Sequence, residues 1–427
     1  MRADPLRLDV FLQFDIIKRD RKYGLLSGTQ KGEEGLCWSV FENCRNECSN
    51  TRSRRPKQSV RVLILSCNTG EGHNAAGQAV KEQLEAMGHE AVMLDMMSFG
   101  RKRTSALVGG GYVKTVTLLP GLFGMAYQAG ELVRKMRCKS PVYYANARLA
   151  KPLKAYLEQE HFDLLVTPHL YPAETFTYMK KKGWLSQKTV AIATDYTCIP
   201  FWEETDCDYY VIPHEDLVEE FASYGIPREK LLPLGIPVRR QFSRPMSRDG
   251  VREHLNLPKD RKIFLVMSGS MGFGKIHVFA GELARGNKNG EQMVIICGKN
   301  KHREHLLRFR FQGNPDVRVV GFTRHVAEYM AACDVIFTKP GGLSSTEAAV
   351  TGIPMIHTTP IPGCEEKNLE FFCHRGMSVA ARTREKQIAE GRRLMQQDGA
   401  RERMRQAQRE NAHPEAAAEI VRLLERV

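Results

Sequence analysis

The chain has 427 residues, 42% hydrophobic and 26% charged, a balance that excludes a disordered or fibrous protein and leaves room for two folded domains. Its net charge of +14 points to an acidic partner, either nucleic acid or an anionic membrane. Eleven cysteines are scattered along it. With no signal peptide before them they read as reduced, cytosolic thiols. Cys37, Cys44 and Cys48 are clustered but lack a matching Cys/His pair at zinc spacing. No run of about twenty apolar residues is present, so no transmembrane helix is expected.

Residues 1–59 show no hydrophobic period and end near a basic run at 51–57 (TRSRRPK). They read as a disordered or atypical extension. From residue 60 the pattern changes: 60–66 (VRVLILS) is predicted as a strand, 74–88 as a helix and 89–95 (HEAVMLD) as the next strand. A different segment follows. Residues 104–130 hold one charge, Lys114, among 27 residues, and are broken by Gly109, Gly110, Gly111, Pro120, Gly121 and Gly124. Over 101–139, eight basic residues face the single Glu131, half of the net charge. Such a stretch suits the interface of an anionic membrane, with Tyr112, Lys114, Leu118, Leu119, Phe123, Arg134 and Lys135 as candidate contacts. A buried loop–helix insertion is the alternative. Basic residues interleaved with aliphatics, not stacking aromatics, argue against nucleic acid.

Strands are then predicted at 162–167, 188–194 and 209–212, and a connector at 233–238 (PLGIPV). After it come strands at 262–268, 293–297, 317–320, 334–338 and 354–358, and a polar tail of helical propensity. Strands alternating with helices imply an α/β protein with parallel sheets. The predicted organisation is two Rossmann-like domains, 60–235 and 236–382, with a helical tail at 383–427. No internal repeat is evident.

Two glycine-bearing turns follow strands in the second domain: 269–274 (GSMGFG) and 339–347 (KPGGLSSTE). A strand, a glycine turn and a helix start present backbone N–H groups to a phosphate. The second turn offers Gly341, Gly342 and Leu343, with hydroxyl donors on Ser344, Ser345 and Thr346. Glu347 is placed to accept from a ribose diol, or else is a first-turn carboxylate that favours the helix dipole. Lys299 and Lys339 could offset diphosphate charge. Together these point to a sugar nucleotide at the edge of a parallel sheet. In the first domain His73 lies in 69–75 (TGEGHNA), between the first strand and first helix. Its ordinary pKa suits proton removal near neutrality; capping the helix, or binding an acceptor without proton transfer, is the alternative. Asp195, in 193–196 (ATDY) after a strand, is a second candidate base or an orienter of His73, or else an Asx-turn residue. His169 and Trp202, on nearby loops, are candidates for lining the acceptor path.

Three segments, 66–76 (SCNTGEGHNAA), 339–348 (KPGGLSSTEA) and the run PIPGxEExNxxFF from Pro360, stand together. They resemble the monogalactosyldiacylglycerol synthase and processive diacylglycerol glucosyltransferase family. A cousin of that family is the GlcNAc transferase of peptidoglycan lipid-intermediate synthesis. The resemblance covers residues 60 to about 382. It implies a GT-B fold (two Rossmann-like domains facing a central cleft), UDP-glucose or UDP-galactose as donor, diacylglycerol as acceptor, and inversion at the anomeric carbon. It implies that Gly269, Ser270 and Gly272 touch the diphosphate and that the backbone at Phe322 and Thr323 faces the uracil. Glu365, Glu366 and Asn368 would bracket the sugar, and Gly72 and Asn74 would flank the acceptor beside His73. Cys364 departs from the family, which commonly carries Gln there. A thiol is a poor partner for a sugar hydroxyl, so the donor sugar stays open. The expected protein is a peripheral enzyme at the cytoplasmic face of the membrane, using no catalytic metal and no cofactor besides the UDP-sugar. The alternatives are GlcNAc transfer to an undecaprenyl-linked acceptor, a UDP-sugar 2-epimerase of the same fold, or a membrane-binding protein that has lost catalysis.

Overall fold

The computed structural model describes residues 59–68, 71–100, 128, 130–134, 139–267, 269, 276–286 and 290–427. The first half runs β1 (Arg61–Ser66), α1 (Glu71–Ala86), β2 (Glu90–Asp95), α2 (Pro141–Ala147), α3 (Ala150–Gln159) and β3 (Leu164–Thr167). It continues with α4 (Leu170–Lys181), β4 (Lys188–Ile192), β5 (Tyr209–Val211), α5 (Val218–Ser223) and β6 (Leu231–Leu232). The second half begins with α6 (Arg240–Ser243), α7 (Arg248–His254), β7 (Ile263–Met267), α8 (Ile276–Arg285), β8 (Gln292–Ile296) and α9 (Lys301–Arg310). There follow β9 (Val317–Val320), α10 (Val326–Ala332), β10 (Val335–Thr338), α11 (Gly342–Thr351), β11 (Met355–His357), α12 (Cys364–His374) and β12 (Val379–Ala380). Three helices close the chain: α13 (Arg384–Gln396), α14 (Asp398–Asn411) and α15 (Ala416–Leu424).

The strands form two six-stranded sheets, ordered β2-β1-β3-β4-β5-β6 and β12-β11-β10-β7-β8-β9. The pairings are parallel. Central strands of such sheets are covered on both faces and so read as continuous apolar runs, not alternating ones. In β1, Val62, Leu63, Ile64 and Leu65 are all fully buried. The two-residue edge strands β6 and β12 carry no such run and left no strand signal. Keeping edges this short limits pairing with other chains.

Each sheet reverses its winding once, between β1 and β3 in the first and between β7 and β10 in the second. Loops leaving the carboxyl ends of the two strands at such a point diverge and leave a crevice. The register Val62↔Leu164 sets β1 beside β3, and Val335↔Phe264 sets β10 beside β7.

One apolar cluster runs through both halves, from Leu63, Leu165 and Phe176 to Leu343, Phe371 and Phe372. α15 packs on the first sheet, where Ile420, Val421 and Leu424 join Val62, Val80 and Leu84. The last helix therefore returns to the half where the chain of sheets began. His89 Nε2 and Glu425 Oε1, 3.0 Å apart, tie it there. Among the described residues seven cysteines are present and all are free, and no helix is long and apolar enough to cross a membrane.

Candidate active site

α1 begins at Glu71, earlier than the sequence predicts. A carboxylate in the first turn favours the helix dipole, and Gly72 is tolerated there. His73 therefore sits in the first turn of α1 and not on the preceding loop. The β1/β3 reversal brings it against the loop after β3. Its Nδ1 lies 2.9 Å from the carbonyl oxygen of Pro168. A carbonyl can only accept, so Nδ1 carries the proton and Nε2 keeps its lone pair. Thr194 Oγ1 is also 2.9 Å from Nδ1. His169 stands edge-on to His73, ring centroids 4.4 Å apart, while its own Nδ1 accepts from Tyr171 N at 3.1 Å and caps α4. Burial lowers the pKa of His73 below its ordinary value, and the charge of Asp195 pulls it partly back. Burial also holds His169 well below its ordinary range. At neutral pH His73 is thus an uncharged imidazole with a defined tautomer.

Asp195 acts on His73 through charge. Its own hydrogen bond is to the second half, where Oδ1 accepts from Asn368 Nδ2 at 2.8 Å. Asn368 is fully buried, and it also accepts from Tyr196 N (2.6 Å) and donates to the Pro340 carbonyl (3.1 Å). Its amide is committed to joining the two halves, which leaves it little for the sugar contact the sequence suggested. Tyr196 completes this seam. Its hydroxyl meets Thr346 Oγ1 at 2.9 Å, and its ring packs on Phe371 and Phe372 at 4.5 and 4.8 Å.

The second reversal sets Gly269 beside the turn after β10. Gly269 has φ +73°, a backbone that L side chains resist, and a Cβ there would come 2.9 Å from Lys339 Cε. α11 opens at Gly342 without a side-chain cap, so its first N–H groups are available to an anion. Gly342 also lies against the first half: a Cβ on it would overlap the Thr194 carbonyl oxygen.

A cavity of about 400 Å³ lies between the halves, within the usual range for small-ligand sites. Glu71, Gly72, Asn74 and Gln78 line it from the first half; Gly269, Gly298, Phe322, Thr323, Leu343, Ser344 and Glu347 from the second. Glu347 lies in the second turn of α11, which removes the first-turn dipole as the reason for it. Burial raises its carboxyl to about 7, and the nearby Arg239 works against that shift. Arg239 and Arg324 also line the cavity. Neither was singled out from sequence, although 239–240 form a basic pair directly after the connector. Asn74 is held by its own bonds to Ser66 (2.7 Å) and Asn68 (2.8 Å).

Other expected residues are placed elsewhere. Ser345 turns inward to His357 Nε2 (3.0 Å) and Thr346 bonds the Gly342 carbonyl (2.7 Å), so of the three hydroxyls only Ser344 faces the cavity. Lys299 is ion-paired with Glu71 and Lys339 with Glu365. Glu365 is buried, and its second oxygen accepts from Ile361 N at 2.9 Å. Glu366 is exposed and accepts from Gly363 N at 3.2 Å, closing the first turn of α12. Trp202 is buried beside Tyr210 (6.2 Å between centroids). Arg134 is not a lipid contact: its buried guanidinium donates to Glu203 (3.0 Å) and to the carbonyls of Cys198 (2.9 Å) and Ile199 (2.7 Å). Ser270, Gly272, Tyr112, Lys114, Leu118, Leu119, Phe123 and Lys135 lie outside the described residues.

Comparison with known proteins fits this arrangement. Residues 73–238 match the family described as monogalactosyldiacylglycerol (MGDG) synthase, and residues 263–420 match the glycosyltransferase family 28 C-terminal domain. A processive diacylglycerol beta-glucosyltransferase of Bacillus cereus is 27% identical over 369 residues, covering 85% of this chain and 93% of the relative. Its namesake in Bacillus cytotoxicus is 25% identical over 367 residues, with the same coverages. Among solved structures, MurG of Acinetobacter baumannii aligns over 86% of this chain and 100% of its own, with a TM-score of 0.56 at 14% identity. The UDP complex of Staphylococcus aureus MnaA aligns over 86% and 96%, at 0.57 and 10%. These likenesses bear on the fold, which is GT-B: two α/β domains, each built on one parallel sheet, facing across the cavity. Its first half is thus matched to the monogalactosyldiacylglycerol synthase family and its second to the glycosyltransferase family 28 C-terminal domain, and over 85% of its length this GT-B glycosyltransferase is similar to the processive diacylglycerol glucosyltransferases.

Proposed function

We propose that this glycosyltransferase moves a hexose from a UDP-sugar, UDP-glucose or UDP-galactose, to diacylglycerol at a membrane surface, with inversion at the anomeric carbon. The observation that carries this reading is the cavity between the two helix starts, with the uncapped end of α11 and Glu347 on one side and the first turn of α1, bearing His73, on the other. In this scheme the ribose diol bonds Glu347 and the diphosphate lies against the N–H groups of α11 and the Gly269 turn. Arg239 or Arg324 adds positive charge. The acceptor hydroxyl attacks the anomeric carbon from the face opposite UDP. Its oxygen forms the new C–O bond, the bond to the diphosphate breaks, and the electron pair leaves on UDP. The hydroxyl proton passes to Nε2 of His73, whose Nδ1–H stays on the Pro168 carbonyl, and the charge of Asp195 favours the imidazolium that results. The helix-start amides stabilise the developing diphosphate charge. The named relatives act on diacylglycerol, which supports that acceptor here.

The test is transfer of label from UDP-glucose and from UDP-galactose, run in parallel, into the organic phase of liposomes that contain diacylglycerol and an anionic lipid. Transfer from one donor, lost in His73→Ala, is the expected result and names the sugar. UDP binding without transfer would instead favour an undecaprenyl-linked acceptor or epimerase chemistry. Unimpaired UDP affinity in Glu347→Gln would overturn the assignment of the ribose contact. A loss of about tenfold is expected there, the worth of one hydrogen bond to a charged group.

A further inference from the structure

Helix α9 is anchored by one side only. Leu307 is fully buried and packs in the apolar cluster of the second sheet with Phe264, Val319 and Phe337. Its outer face carries Leu306, 39% exposed, and Phe309, 80% exposed, one turn apart and therefore adjacent. These are two of the six large apolar side chains exposed among the described residues, so a third of that group falls on a single turn. Lys301 and Arg308 are exposed on the same helix, while the Arg310 guanidinium lies against Gly281 of α8. The one acid on the helix, Glu304, bonds Lys301 at 3.2 Å and Arg308 at 3.0 Å and offsets part of that charge. The helix also begins at the cleft: Gly298 lines the cavity, and Lys299 pairs with Glu71 of the opposite half.

We propose that the outer face of α9 is a lipid-contacting surface, carried by the half that would hold the nucleotide and made for an anionic bilayer. Leu306 and Phe309 enter the boundary between headgroups and acyl chains while the flanking cations stay among the phosphates. The combination selects the partner. Cations alone would fit any polyanion, and an aliphatic–aromatic pair alone would fit any apolar groove. A protruding apolar pair on a helix that also carries exposed cations fits a surface with a negative plane above an apolar interior. At ten residues, or about 15 Å, the helix reaches from the cleft outward, so contact along it sets the cavity mouth close to the bilayer. The inference stands on the helix and not on the identity of the acceptor.

The experiment is sedimentation of the full chain with vesicles of phosphatidylcholine alone or mixed with phosphatidylglycerol, without diacylglycerol or sugar donor. Phe309→Glu and the double variant Lys301→Gln/Arg308→Gln are compared with the parent, and thermal midpoints report folding. All three positions are solvent-facing, so unchanged midpoints are expected. The parent should prefer the anionic vesicles, less so at high salt. The double variant should lose about fivefold in anionic partitioning per charge removed, and Phe309→Glu about tenfold. Partitioning of both variants equal to the parent's would overturn the proposal. Because no sugar is transferred in this assay, its outcome is independent of the proposed reaction.

Discussion

The neighbours of His73 set its tautomer and lower its pKa. An isolated histidine titrates near 6.5 and has two tautomers. Here the Pro168 carbonyl holds one nitrogen protonated, and burial depresses the pKa. His73→Gln should therefore lower kcat by about 10²–10⁴-fold, the usual loss of a general base, with UDP affinity retained. For the parent enzyme the acid limb of kcat/KM should fall below pH 6.5, because a depressed base stays unprotonated further into acid. A limb above 6.5 would contradict the assignment. The sequence singles out His73, Asp195, Gly269 and Glu347; the structure brings Gly269 and Glu347 to the cavity and sets the charge of Asp195 on His73. The inward turn of Ser345 and Thr346 is not legible in the sequence, because it depends on where α11 begins. Once the helix start is known, the 3.6-residue period puts Ser344 and Glu347 on one face and turns the two residues between them away.

The two facing helices, α1 and α11, make the cleft, and their closeness rests on glycine. Gly342 touches the Thr194 backbone so nearly that a methyl group has no room. Gly342→Ala should push the halves apart, since neither the helix backbone nor the strand-end carbonyl can yield far, at a stability cost of about 1–3 kcal/mol. The expected outcome is at least a tenfold loss of transfer rate (about 1.4 kcal/mol) with a measurable rise in radius of gyration by solution scattering. A variant that lost UDP affinity at unchanged radius would show that the glycine serves phosphate approach alone. The sequence marks this glycine pair as a phosphate turn. It carries no sign of the second duty, because the partner is a carbonyl about 150 positions away.

Several buried ionisable groups couple folding of the chain to pH. Burial holds His357 to about 3, between the hydroxyls of Ser345 and Ser378. An unfolded histidine binds its proton near 6.5, so acidification draws protons into the unfolded state. Stability contributed here is present above about 6.5 and is lost as pH falls toward 3. Glu174 has the opposite sign. It is fully buried, bonded to Asn146 on one oxygen and without a partner on the other, and its carboxyl is raised to about 8 by burial. Folding favours its protonated form, so that stability is complete below about 4.5 and is lost as pH rises toward 8. Glu174→Gln should flatten the alkaline side: its thermal midpoint should fall less than the parent's between pH 6 and pH 9. Parallel midpoints in the two proteins would show that Glu174 is ionised in the fold.

The alternation of apolar runs with helical segments, the glycine turn before α11 and the carboxylate after it were all readable along the chain, because each depends on residues close in sequence. Local chemistry suffices for a strand, a turn or a helix start. Strand order is another matter. It was the placing of β3 beside β1 and of β10 beside β7 that set His73 against Pro168 and Gly269 against Lys339. It was the packing of one half on the other that committed Asn368 to Asp195 and Tyr196, and packing within the first half that sank Trp202 and Arg134 into the interior. Those outcomes depend on pairs separated by tens to hundreds of positions, whose meeting is settled by how two sheets and their covering helices bury their apolar faces together, and no local pattern records it.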